Sequence, residues 1–303
     1  MQAVLHTLPP GARLLVIRLR SLGDCVLTTP ALHLLKLARP DLRLAVMVED
    51  KFAGVFSGNP EVEAVLAPRA GTAWAWRPVL TINFHGGTRS AVLTAASLAR
   101  WRAGFRHYRF QSLYNLRIPR AQEILGGERK VHTAEHLASA VFWLGAPPTE
   151  VPRARLFAGN GPGRANCAVI HPFASAASKA WPLERFVELA HYLKERHQLE
   201  AVIIGGGNDD FSKFADFDCL RGAPLSEVKT LLASARLFAG NDSGPAHMAA
   251  AFGVPSVVLY GSSDPVVWAP WRTAAELIVE PAGLGRVPLS RVTGAVERLR
   301  KRP

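Results

Sequence analysis

The chain has 303 residues, of which 49% are hydrophobic and 20% charged. This composition excludes a disordered chain and, at about 100–200 residues per domain, predicts two domains of similar size. The net charge is +12 and the excess is lopsided, with 20 Lys and Arg against 10 Asp and Glu in residues 1–158 and 16 against 14 in residues 159–303.

The longest apolar stretch, residues 249–260, is broken by Gly253 and Pro255 and falls short of the roughly 18–20 residues that cross a bilayer. Residues 1–10 hold no basic cluster and no secretory apolar core. Cys25, Cys167 and Cys219 lie far apart, without zinc spacing. The expectation is a cytoplasmic protein without a disulfide framework, at most resting peripherally on a membrane.

In chain order, residues 13–19 read as a strand, 20–24 as a loop, 26–37 as a helix closed by Arg39-Pro40, and 42–48 as a strand. A strand at 78–84 and helices at 90–99 and 132–144 follow, the last stopped by Gly145. Prolines and glycines crowd residues 147–163, the best linker candidate. A second alternation follows it, with strands at 168–171, 201–204, 237–239 and 256–260 and helices at 183–195, 225–233, 244–252 and 289–301. Two tandem α/β units suggest two facing Rossmann-like domains with parallel sheets and an interdomain cleft, residues 1–158 and 159–303. Chemistry is then expected in the loops after strands.

Five such loops hold candidates. Asp24 follows the first strand beside Gly23, either as a helix cap or as a general base that takes a proton from a hydroxyl nucleophile. Cys25 beside it reads as packing. The segment 175–182, S-A-A-S-K-A-W-P, sets Lys179 among small residues, where an ammonium suits a diphosphate oxygen or simply faces solvent. Residues 240–247, G-N-D-S-G-P-A-H, open a helix whose free N–H groups make an anion site around Ser243 and Gly244. His247 is either part of it or a core side chain, and Asp242 there orients N–H groups or a ribose. Gly205-Gly206-Gly207 precedes Asp209, a ribose contact or a solvated acid. Residues 261–265 are turn chemistry.

Residues 64–122 hold nine arginines and no acidic residue, with Arg100, Arg102, Arg106, Arg109, Arg117 and Arg120 interleaved with aromatic residues. Such a face attracts polyanions, unless it is merely a solvated basic surface.

Taken together, residues 13–32 (R-L-L-V-I-R-L-R-S-L-G-D-C-V-L-T-T-P-A-L), 59–66, 132–145, 171–182, 240–247 and 260–265 (Y-G-S-S-D-P) resemble the glycosyltransferase family 9 enzymes, the ADP-heptose:lipopolysaccharide heptosyltransferases. The resemblance implies a GT-B fold and an inverting transfer that needs neither cofactor nor essential metal. The donor is a nucleotide sugar, ADP-heptose, bound by the second domain. The acceptor is a phosphorylated glycolipid, bound by the first domain at an anionic inner-membrane surface, with no nucleic-acid partner.

Asp24 matches the family's base and Lys179 its donor-phosphate lysine. Asp242, Ser243, Gly244 and His247 match its donor turn, and Ser175 joins the donor set. Asp209 stands where the family's ribose-binding Glu is usual, one methylene shorter. Arg18, Arg20, Ser21, Arg106, Arg109 and Arg120 form the expected acceptor set. A transferase for another nucleotide sugar and a non-catalytic polyanion binder are the alternatives. A Rossmann dehydrogenase is disfavoured, because the first strand–helix turn lacks the glycine fingerprint.

Overall fold

The structure, a computed structural model, describes residues 4–174, 176 and 180–301. The chain divides into two compact units, Met1–Arg155 and Leu156–Pro303, so the cut falls inside the Pro/Gly-rich stretch.

Unit 1 begins with α1 (Val4–Thr7) and β1 (Arg13–Ile17), then α2 (Leu22–Ala38), β2 (Arg43–Met47), β3 (Ala64–Leu66), α3 (Ala70–Ala75), β4 (Leu80–Asn83), α4 (Thr88–Ala96), β5 (Trp101–Phe105), β6 (Leu116–Ile118), α5 (Ala121–Leu125) and α6 (Thr133–Trp143). The six strands form one parallel sheet in the order β3-β2-β1-β4-β5-β6. Leu14, Leu15, Val16 and Ile17 are all fully buried, because a central parallel strand is covered on both faces and must be apolar throughout. Leu15, Ile17, Ala45 and Met47 meet Ala73 of α3 and Leu93 of α4 on one face. Helix α2 packs along α6. Pro30 inside α2 cannot donate to Val26, and the Thr29 hydroxyl bonds that carbonyl instead at 2.8 Å.

Unit 2 runs β7 (Cys167–His171), α7 (Leu183–His197), β8 (Glu200–Gly205), β9 (Asp218–Arg221), α8 (Leu225–Ser234), β10 (Leu237–Asn241), α9 (Gly244–Ala251), β11 (Ser256–Tyr260), α10 (Pro265–Trp268), β12 (Ala275–Val279) and α11 (Leu289–Arg300). Its parallel sheet has the order β12-β11-β10-β7-β8-β9. Counted from its own first strand this is the same 3-2-1-4-5-6 winding as unit 1, the Rossmann order. Its core joins Trp181 and the buried face of α7 (Phe186, Leu189, Leu193) to Val292, Val296 and Leu299 of α11. No helix among the described residues is long and apolar enough to cross a membrane.

Several expected boundaries move. Residues 22–24, expected in a loop, are the first turn of α2. The arginine-rich stretch holds β5 and β6, with Arg102 and Arg117 on strands, and β3, β9 and β12 add edge strands outside the expected set.

In both sheets the order reverses between two neighbours, β1 and β4 in unit 1 and β7 and β10 in unit 2. At such a reversal the connections leave in opposite directions and open a crevice beyond the carboxyl ends. In unit 1 its floor is set by Asn83. This side chain donates to the Tyr114 hydroxyl at 2.8 Å and Ser90 at 3.1 Å, and accepts from the His85 and Gly86 N–H groups. Tyr114 can lie there only because Gly104 has no Cβ, which would stand 2.7 Å from its ring. Gly104→Ala is therefore expected to cost about 1–3 kcal/mol by overpacking, read as a lowered urea midpoint. An unchanged midpoint would contradict this packing.

Candidate active site

The carboxyl edge of unit 1 carries one group of candidate residues. Ser21 is the N-cap of α2, and Asp24 occupies the third helical position. One Asp24 oxygen accepts from the Ser21 N–H at 3.0 Å and from its hydroxyl at 2.9 Å. The other is ion-paired with Arg18. The carboxylate also sits in a first turn, where the helix dipole favours negative charge. Arg18 donates a second time, to the Phe84 carbonyl after β4. Its side chain is only 11% exposed, its Nε is buried with no partner among the described residues, and burial lowers its pKa. Asp24 thus helps close the helix start, as the cap expectation has it, and its carboxylate stands at the sheet's reversal point.

The acceptor set separates. Arg18 donates to Asp24 and to the Phe84 carbonyl, and Ser21 donates to Asp24, so both hold the carboxylate. Arg106 pairs with Glu123 at 2.7 Å, and Arg120 pairs with Glu123 at 3.0 Å and Glu128 at 3.2 Å. Arg20 and Arg109 are exposed. All follow the ends of β1, β5 or β6, on the edge that bears Asp24.

Three histidines belong to this edge and escaped the sequence reading. His85 follows β4, and its pKa is lowered by burial and by Arg18 and Arg20. His107 lies beyond β5, where burial lowers it. His136 on α6 stacks on Phe105 at 4.0 Å, and burial, then His107 and Arg18, push it down to about 4. The position of His85 directly after a strand was the available signal. Beside it Gly86 (φ +76°) lets the Tyr108 ring approach within 2.6 Å of where a Cβ would be.

Unit 2 anchors its carboxyl edge with an amide side chain. The buried Asn241 amide accepts from the Trp181 N–H at 3.1 Å and donates to the Pro172 carbonyl at 2.7 Å. It thereby ties down both ends of the loop after β7. Ser175 and Lys179 lie in that loop, outside the described residues. Ser243 is the N-cap of α9, but its hydroxyl meets His171 Nδ1 at 3.1 Å instead of the helix. Pro245 brings no N–H to this first turn. The Ser243 and Gly244 N–H groups are left at the helix start, an arrangement suited to an anion.

Gly240, on β10 just ahead of this turn, lies close against β7, where a Cβ would stand 2.7 Å from the His171 carbonyl. His247 is buried in the first turn of α9, 6.4 Å between ring centres from Trp268. The Asp242 N–H bonds the Leu259 carbonyl at 2.9 Å, and its carboxylate adds to the burial that raises the Tyr260 pKa. Asp209 accepts from the Gly206 N–H at 2.7 Å and closes the turn after β8. Asp264 caps α10 through the Val266 N–H at 2.9 Å, which accounts for the turn chemistry at 261–265. Among the described residues no three His, Cys, Asp or Glu side chains are grouped to hold a metal ion.

The family model described as glycosyltransferase family 9 (heptosyltransferase) matches residues 80–284. The chain belongs to glycosyltransferase family 9. Among its family 9 relatives, lipopolysaccharide heptosyltransferase 3 of Escherichia coli is 25% identical over 287 residues, covering 82% of this chain and 83% of that protein. The structure of E. coli ADP-heptose lps heptosyltransferase II superposes with a TM-score of 0.80 at 21% identity, over 95% of this chain and 98% of that one. That of E. coli heptosyltransferase WaaC with ADP-2-deoxy-2-fluoro heptose gives 0.75 at 22% identity, over 94% and 99%. These likenesses establish the GT-B fold. The family 9 match contains the loops after β7 and β10, whereas Asp24 precedes it.

The buried histidines have a consequence for stability. His136 and His171, both pushed down to about 4 by burial, are neutral in the folded chain near pH 7 and bind protons near 6.5 when unfolded. Between those values the unfolded chain holds more protons, so their stabilisation is complete above about 6.5 and is lost as the pH falls toward 4, by up to about 1 kcal/mol per pH unit for each ring. His136→Phe, which keeps the stack on Phe105, is expected to lose less stability than the parent between pH 7 and 5 in urea unfolding. Identical losses would contradict the burial of this ring.

Proposed function

We propose that this family 9 member transfers a heptose from ADP-heptose to a phosphorylated glycolipid of the lipopolysaccharide inner core, at the anionic cytoplasmic face of the inner membrane. The anomeric centre is inverted, and Asp24 is the general base. The observation that carries this reading is the Asp24 carboxylate, fixed on both oxygens at the reversal point of a parallel sheet, on an edge rich in cationic side chains. The donor and acceptor classes draw support from the relatives, one named a lipopolysaccharide heptosyltransferase and another bound to an ADP-linked fluoro-heptose.

In the proposed reaction an acceptor hydroxyl gives its proton to Asp24 as its oxygen bonds the anomeric carbon. The bond to the diphosphate breaks on the opposite face, and ADP leaves with the electron pair. The Ser243 and Gly244 N–H groups and Lys179 offset the charge that grows on the leaving group. His247 and Ser175 are assigned to the donor in this reading, and Asp209 and Asp242 to the ribose and the shape of the turn. This set takes over what a metal would otherwise do, and neither a metal nor a cofactor enters the proposed step. Arg20 and Arg109 meet acceptor phosphates. Arg106 and Arg120 join them by exchanging Glu123 for phosphate, since an exposed pairing is screened by solvent and held weakly. Nucleic acid is not a partner in this reading.

The test is incubation of the purified protein with ADP-heptose and truncated core lipids, with ADP release and product mass as readouts. Asp24→Asn is expected to lower turnover about 10²–10⁴-fold with donor binding retained. Lys179→Ala is expected to cost about 3–4 kcal/mol in the transition state, and EDTA is expected to leave turnover unchanged. Near-normal turnover of a folded Asp24→Asn protein would remove the base, and release of another nucleotide in preference to ADP would change the donor.

A further inference from the structure

The outer surface formed by α3 and α4 is not used by the site. The two helices pack side by side, and the Arg89 guanidinium bonds the Pro68 carbonyl ahead of α3 at 3.1 Å. Inward they contribute Ala73 and Leu93 to the core. Outward they show an unusual surface. Trp74 is 56% exposed, Val92 55%, and Leu98, just beyond α4, 71%. Between them stand small residues, Ala70, Gly71 and Ala75, also exposed. Leu98 has φ +51°, a left-handed conformation that Gly or Asn adopts at lower cost, yet a bulky apolar side chain is held out there.

Arginines surround this patch. Arg69 is the N-cap of α3, Arg77 follows its end, Arg89 lies on α4, and Arg100 follows Leu98 with its guanidinium over the Trp101 ring at 5.3 Å. Arg89 has a distant partner in Glu49 at 3.7 Å, while Arg69, Arg77 and Arg100 have no ion pair among the described residues. Residues 64–122 contain no acidic side chain to compete for them.

Protruding Trp, Val and Leu within a ring of guanidinium groups match the two layers of a bilayer interface, acyl chains below and phosphate headgroups above. An acidic protein partner would account for the arginines and leave the exposed leucine and tryptophan without a role. We propose that the α3–α4 face seats unit 1 on an anionic phospholipid bilayer, with Trp74, Val92 and Leu98 entering the headgroup–acyl boundary and Arg69, Arg77 and Arg100 meeting lipid phosphates. This rests on the glycolipid reading only in choosing a bilayer as the partner. None of these side chains belongs to the transfer site.

The test is sedimentation of the full chain with large unilamellar vesicles, without donor or acceptor. Phosphatidylcholine vesicles containing phosphatidylglycerol are expected to bind the protein, and pure phosphatidylcholine vesicles to bind it weakly. Binding is expected to fall as salt rises from about 50 to 500 mM. Two variants, Trp74→Ser/Val92→Ser/Leu98→Asn and Arg69→Gln/Arg77→Gln/Arg100→Gln, are each expected to lower partitioning at least about tenfold. Their circular dichroism and their turnover on a water-soluble, delipidated acceptor should stay at parent values. Equal binding to neutral and anionic vesicles, or parent-like binding by both folded variants, would overturn the proposal. So would a parent that ignores vesicles and instead forms a concentration-dependent dimer that the variants lose. Loss of transfer activity alongside normal vesicle binding would overturn the proposed reaction and leave this surface standing.

Discussion

The ion pair between Arg18 and Asp24 is the interaction on which the unit 1 site depends. A guanidinium removed from water is costly unless it is paired and hydrogen-bonded, and Arg18 meets that condition only by reaching Asp24 on α2 and the Phe84 carbonyl beyond β4. It therefore ties together the two strand ends between which the sheet reverses. In return it fixes one carboxylate oxygen, while Ser21 fixes the other. For the proposed base, a carboxylate so held needs no reorganisation before accepting a proton.

Unit 2 solves the corresponding problem with neutral groups. At its reversal point Asn241 links the two loops by amide hydrogen bonds, and His171, held neutral by burial, engages the Ser243 hydroxyl. In the proposed reaction the charge that grows at this turn is met by the backbone N–H groups of Ser243 and Gly244. Asp209 is occupied in closing a turn. The same winding thus carries a fixed carboxylate in one unit and, in the other, a helix start held by neutral side chains.

Much of the fold was legible because central strands carry unbroken apolar runs, as in residues 14–17 and 257–260. The edges were not. Strands β5 (WRAGF) and β6 (LRI) carry arginines, and β9 and β12 carry acidic residues, which suits strands exposed on one side but erases the apolar run. Asp24 was visible as a carboxylate after a strand. The role of Arg18 was not, because sequence gives the strand end and not the direction of a six-atom side chain that folds back onto the next helix. His85, His107 and His136 were missed for a related reason, since they converge from three different elements.

The measurement that bears most directly on this account is the turnover of heptose transfer by Arg18→Met beside the parent enzyme. Removing the guanidinium that fixes one Asp24 oxygen is expected to lower turnover by up to about 10²-fold through misplacement of the carboxylate, with Arg18→Lys lying between. Parent-like turnover by a folded Arg18→Met protein would mean that this guanidinium does not position Asp24, and the central pairing would lose its functional meaning.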